Sequence, residues 1–215
     1  MLVQLGPAPA HGCCMRFRIG PLPDDPGFRP EQGGWRKLKE PSFGLLLLLA
    51  FPTSALTAAG VLFVWVLLVR VHGLYGPVQV VITPWTLLGA FAALVALVVA
   101  HELAHAVVLP RGGLTSATTL GFWPQTVTPY VSYQGELSRN RFLLVGLMPL
   151  LLWSAVPLLI GLLFAWIPLW MVSLSTVNAL VSSADLIGAV LLVLQTPQSA
   201  VVRNKGRATW WRVPV

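Results

Sequence analysis

Apolar positions in this chain come in unbroken runs and seldom alternate with polar ones. Four stretches, 44–69, 85–109, 142–166 and 170–194, are almost wholly apolar, and a helix needs about 20 such residues to cross a bilayer. A helix that is apolar on every face must be buried in protein or lipid. The pattern therefore predicts an all-α membrane protein with four transmembrane helices. Pro52 is expected to bend the first, and Arg70 marks its end. His72, Gly73, Gly76 and Pro77 supply a turn, Pro110-Arg111-Gly112-Gly113 stops the second run, and Pro168 separates the third from the fourth.

The pattern changes in the connection Leu114–Arg141. There TSATTL and TVTPYVSY, rich in Thr, Val, Tyr and Ser, flank Gly121-Phe122-Trp123-Pro124. This composition suits a short β-hairpin between helices two and three, with an ordinary interfacial loop as the alternative. Residues 1–43, centred on PLPDDPGFRPEQGG, read as an irregular basic tail, and 197–215 as a second basic tail with Trp210-Trp211-Arg212 at a headgroup interface. Residues 44–196 form the membrane domain. Ala8-Pro9-Ala10 has no apolar core before it, so a cleaved signal peptide is not expected.

Composition agrees with this class. Of 215 residues, 56% are hydrophobic and 10% charged, with mean hydropathy +0.76, whereas soluble domains carry about a quarter charged residues. The net charge of +7 could suggest nucleic acid as a partner. No nucleic-acid motif is present, and the basic residues flank the apolar runs, where they act as topology signals and anchors to anionic lipid. Thirteen of the fourteen Lys and Arg fall in the two tails and the Leu114 connection with its flanks, against Arg70 alone on the other side. The positive-inside rule then predicts a multi-pass protein of the cell membrane with both termini cytoplasmic. Cys13 and Cys14 are adjacent, which gives neither a disulfide framework nor metal-ligand spacing.

Chemistry concentrates in His101-Glu102-Leu103-Ala104-His105, preceded by sixteen residues, Trp85–Ala100, without a charged side chain. One helical turn separates the histidines, so both imidazoles project from one face and can ligate one tetrahedral zinc. Glu102 lies beside that face, where it can act as general base on a zinc-activated water. Such groups are costly at membrane depth unless partnered. Beyond the motif, Asp185 is the only acid inside a span. Spans two and four run in the same direction, and His101 and Asp185 both lie about 23 Å along their helices at ~1.5 Å per residue. Asp185 is therefore the expected third ligand. Glu136 is the competitor, though its loop sequence also suits pairing with arginine. Asn178, seven residues before Asp185 and on the same face, could donate to a substrate carbonyl or developing oxyanion, or make a helix–helix hydrogen bond.

HELAH within a membrane span, followed about eighty residues later by an acid in another span, resembles the site-2 proteases. Asn178…Ser182-Ser183-Ala184-Asp185 in so small a chain looks still more like the short zincin-type membrane proteins related to them. The resemblance implies a polytopic zinc metallopeptidase that cuts membrane-embedded proteins or peptides. It implies zinc ligation by His101, His105 and Asp185, Glu102 as catalytic base, and a site asparagine at Asn178. The chain departs from site-2 proteases in having Asp185-Leu186 where they have Asp-Gly, and no proline between Asn178 and Asp185. If the hairpin forms, its edge could hold an extended substrate by strand addition. A non-proteolytic zinc-binding membrane protein, acting as carrier, sensor or scaffold, is the alternative class. Nothing in the sequence bears on oligomeric state.

Overall fold

The computed structural model describes residues 14–74, 76 and 81–214. Ala8-Pro9-Ala10, Cys13 and Pro77 lie outside the described residues, and Cys14 is exposed with a free thiol. The chain is mostly helical. Among the described residues, three helical segments are long and apolar enough to cross a membrane, and a bent pair makes up to a fourth.

The first helix, α1 (Phe43–Val71), starts at Ser42, whose hydroxyl accepts from the Leu45 N–H at 3.4 Å. Helix α2 (Pro84–Val108) starts with a capping box between Thr83 and Thr86 and has Pro84 in its first turn. Its last turn is closed by Arg141, whose Nε donates to Val108 O at 2.9 Å. The third span departs from the single expected helix. It runs as α3 (Arg139–Leu150), a π-helical turn at Leu151–Ala155, and α4 (Val156–Phe164). The fourth also departs, dividing into α5 (Leu169–Val181) and α6 (Ser183–Gln195) with a 49° bend. Ser182 sits at the break, and its hydroxyl donates to Asn178 O at 2.9 Å. Serine side chains that claim a carbonyl one turn back weaken and bend helices. Asp185 thereby falls in the first turn of α6, where the helix dipole favours a carboxylate.

Both ends of the chain carry strands where the sequence predicts irregular tails. Strand β1 (Arg16–Ile19) runs parallel to β3 (Thr118–Trp123), which forms an antiparallel hairpin with β4 (Thr128–Tyr133). A second sheet has the order β2–β7–β6–β5, from Arg36–Lys37, Ala208–Arg212, Val201–Lys205 and Leu137–Ser138. Strands β1 and β2 find their backbone partners more than 100 positions along the chain, which local composition cannot reveal. The hairpin expected between helices two and three is β3–β4. Gly121 permits the close approach of β1, since a Cβ there would meet the Tyr130 ring at 2.3 Å and Arg18 O at 2.8 Å. Burial raises the Tyr130 pKa above its ordinary value, so its hydroxyl stays protonated and donates to Gly20 O and Pro21 O, each at 3.2 Å.

Helix α1 packs against α5 through polar contacts as well as apolar ones. Thr57 Oγ1 donates to Ala179 O, Ser54 Oγ to Leu180 O, and the buried Trp65 Nε1 to Ser175 Oγ at 2.8 Å. Hydroxyl-to-backbone bonds of this kind join helices whose apolar surfaces give no preference for protein over lipid. Trp65 also lies against Gly161 of α4, where an added Cβ would come within 2.5 Å of the indole.

Gly161→Ala should therefore overpack this seam and cost about 1–3 kcal/mol. Gly60→Ala, a helical glycine with nothing within 4 Å of an added Cβ, should cause no loss. Thermal unfolding of both variants in the same detergent checks the pair.

Candidate metal centre

The helical spacing of α2 brings His101 and His105 together with ring centroids 5.1 Å apart. Their Nε2 atoms converge on Asp185, one on each carboxylate oxygen, at 3.2 Å for His101 and 3.6 Å for His105. Asp185, the acid expected from the sequence, thus lies beside both motif histidines. The bend at Ser182 swings the start of α6 so that its first-turn carboxylate faces α2.

The far nitrogens of both rings are also fixed. His105 Nδ1 lies 2.8 Å from Val145 O. A carbonyl can only accept, so that nitrogen carries a hydrogen, and a neutral ring then has its lone pair on Nε2. His101 Nδ1 lies 3.0 Å from Asn178 Oδ1. The amide orientation of Asn178 is set by its other end, where Nδ2 donates to Pro149 O at 3.0 Å and to Ser154 Oγ at 2.9 Å. With the amide hydrogens spent there, Oδ1 accepts from His101, whose ring in its neutral form likewise has its lone pair on Nε2. Asn178 is wholly buried. Its donors face the protein interior, so the oxyanion contact suggested by the sequence gives way to a place behind His101.

Glu102 lies at the mouth of the same cluster. Its carboxylate and the two imidazoles offer ligand atoms within 4.8 Å of one another, and it accepts a hydrogen bond from the Val131 backbone N–H of β4. Two carboxylates thus compete for the metal. Asp185 spans both Nε2 atoms, whereas Glu102 is held by the strand. The sequence competitor Glu136 is elsewhere, with both oxygens 3.3 Å from Arg212 Nη2.

Zinc fits this donor set. Ligand atoms about 2.0–2.2 Å from a tetrahedral zinc lie about 3.3–3.6 Å from one another, close to the 3.2 and 3.6 Å separations at Asp185. Two imidazoles and one carboxylate would leave a zinc one ligand short of four, and all four side chains line a cavity of about 630 Å³. Leu38, Leu143, Leu191 and Leu192 make much of its wall apolar.

The family described as "putative zincin peptidase" matches residues 94–201, half of the chain and the whole of this cluster. The chain belongs to that family. No curated protein and no solved structure matches it. Zinc is the cofactor that membership in a zincin family implies, and His101, Glu102 and His105 form a group able to hold it.

Three parts of this zincin's site escaped the sequence reading. Val145 contributes only its carbonyl and Val131 only its amide, so neither side chain marks the role. Ser154 reaches Asn178 only because the π-helical turn inserts an extra residue before it.

Purified protein should hold one zinc per chain, since the described residues contain one such cluster. Zinc should leave as the pH falls, because protons compete for both Nε2 atoms. Elemental analysis across a pH series measures both.

Proposed function

We propose that this chain is an intramembrane zinc endopeptidase of the site-2 type, acting on membrane-embedded proteins or peptides. The carrying observation is the pairing of two Nδ1-anchored histidines and Asp185 with a separate carboxylate, Glu102, on one cleft inside a bundle of apolar helices. A scaffold or carrier needs the ligands but gains nothing from Glu102. A peptidase needs it.

In this reading His101, His105 and Asp185 hold the metal. Zinc, when bound, supplies Lewis acidity that lowers the pKa of a water and polarises the scissile carbonyl. Glu102 takes the proton from the attacking water and returns it to the leaving amine nitrogen. Substrate lies extended along β4, whose outer edge has no strand partner among the described residues. Pro129 on that strand agrees with an edge position, because a proline has no ladder N–H to offer.

Residues 44–196 are the membrane domain, with the two tails folded onto one end of it. Strand pairing joins the N-terminal segment to the central connection through β1–β3, and the C-terminal segment to both through β2–β7 and β5–β6. With the thirteen basic residues taken to lie on one side, the positive-inside rule makes that side cytoplasmic. In a protein lacking Cys13 and Cys14, cysteines at Gln125 or Lys205 should resist an impermeant thiol reagent applied from outside. Labelling at either position in intact cells overturns the topology.

Two substitutions in one cluster separate a peptidase from a zinc binder. Asp185→Ala removes a ligand, and zinc affinity should fall steeply. Glu102→Gln keeps the shape and should retain zinc fully, yet lose about 10²–10⁴-fold in peptide cleavage because a positioned base is absent. Full cleavage by Glu102→Gln in reconstituted vesicles sinks the peptidase reading.

A further inference from the structure

Pro149 and Pro157 both lie in the third span, and from sequence alone each is simply a bend. The structure separates them. Proline has no N–H, so the carbonyl four residues earlier loses its helical partner. For Pro149 that carbonyl belongs to Val145, and it is the acceptor held by His105 Nδ1 at 2.8 Å. The carbonyl of Pro149 itself accepts from Asn178 Nδ2 at 3.0 Å, and Asn178 Oδ1 lies 3.0 Å from His101 Nδ1. The back nitrogens of both histidines are thus governed by one residue, through the hydrogen it lacks on one side and the oxygen it offers on the other. The π-helical turn that follows at once adds to this. It brings Ser154 Oγ to Asn178 Nδ2 at 2.9 Å, and Trp153 Nε1 to Ala100 O, beside His101, at 3.1 Å.

We infer that Pro149 is the positioning residue of the metal centre, setting both histidines with hydrogen on Nδ1 and a lone pair on each Nε2 facing Asp185. An ordinary residue at 149 would direct its N–H at Val145 O as a regular helical bond. His105 would then share its acceptor with that N–H, and its hold on the carbonyl would weaken. Its ring would be free to turn or to move its hydrogen to Nε2, where it blocks ligation. This inference rests on the cluster being a zinc site and is independent of whether the chain cuts peptides. Outer partners that orient metal-binding histidines are typically worth about 10–100-fold in affinity.

The test uses full-length protein in detergent with Co²⁺ in place of zinc, reading affinity by chelator competition and ligand geometry by visible absorption. Pro149→Ala should bind about 10–100-fold more weakly and show altered cobalt bands. Pro157→Ala, which restores an N–H toward a carbonyl that holds neither histidine, should match wild type in both. Lactic acid at position 149, introduced as a backbone ester, lacks the N–H as proline does and should restore wild-type affinity. Equal affinities for wild type and Pro149→Ala overturn the inference, as do equal losses in the two alanine variants. An ester variant that binds no better than Pro149→Ala also overturns it. If Pro149→Ala does not fold, the comparison of the ester variant with wild type decides. Wild-type protein that takes up no metal refutes the zinc reading itself.

Discussion

Two imidazoles and two carboxylates inside a bundle of apolar helices impose the constraint that shapes this molecule. Each polar atom must find a partner within the protein, because the surrounding side chains offer none. His101 answers with Asn178 behind it and Asp185 in front, and His105 with Val145 O behind and the same carboxylate in front. Asn178 in turn spends its amide hydrogens on Pro149 O and Ser154 Oγ. The network ends in backbone carbonyls, which need no further partner. A metal among the facing lone pairs completes an arrangement that is otherwise satisfied on its inner side only.

The departures from regular helix gather around this centre. Regular α-helices already engage their own carbonyls, so a carbonyl released from the ladder is the freer acceptor for a side chain. Pro149 leaves Val145 O available, the π-helical turn reorients Ser154 and Trp153, and the break at Ser182 turns Asp185 toward α2. Such irregularity is tolerated within an apolar bundle where the released groups are buried in protein and bonded again. By contrast, α1 and the first four turns of α2 carry no part of the centre and run without interruption.

The sheets at one end of the bundle link the centre to the rest of the chain. Strand β4 touches the cluster through the Val131 N–H on Glu102, and Arg139 ties the start of α3 to the end of α6 through Thr196 Oγ1 and Val193 O. Arginine stacks on aromatic rings across this layer, with Arg36 on Trp211 and Arg212 on Trp35. The basic residues that mark topology in the sequence therefore also hold helix ends and strands in place.

Much of the architecture was legible in the residues themselves. Unbroken apolar runs and the HELAH spacing depend on local composition and a 3.6-residue period, and they led to the helices and to zinc, while a lone acid in the last span made Asp185 the expected third ligand. The β3–β4 hairpin was legible because its strands adjoin in sequence. What the sequence did not disclose depends on partners distant along the chain. Segments within 14–42 and 197–214 look irregular alone and become strands by pairing with each other and with the central connection. Asn178 looked free to meet substrate because its neighbours on α3 and the π-helical turn could not be seen. The Val145 carbonyl and the Val131 amide have no signature at all, since every residue has both groups. Only the tertiary structure decides which backbone groups are left over from helix and sheet, and here those groups orient the chemistry.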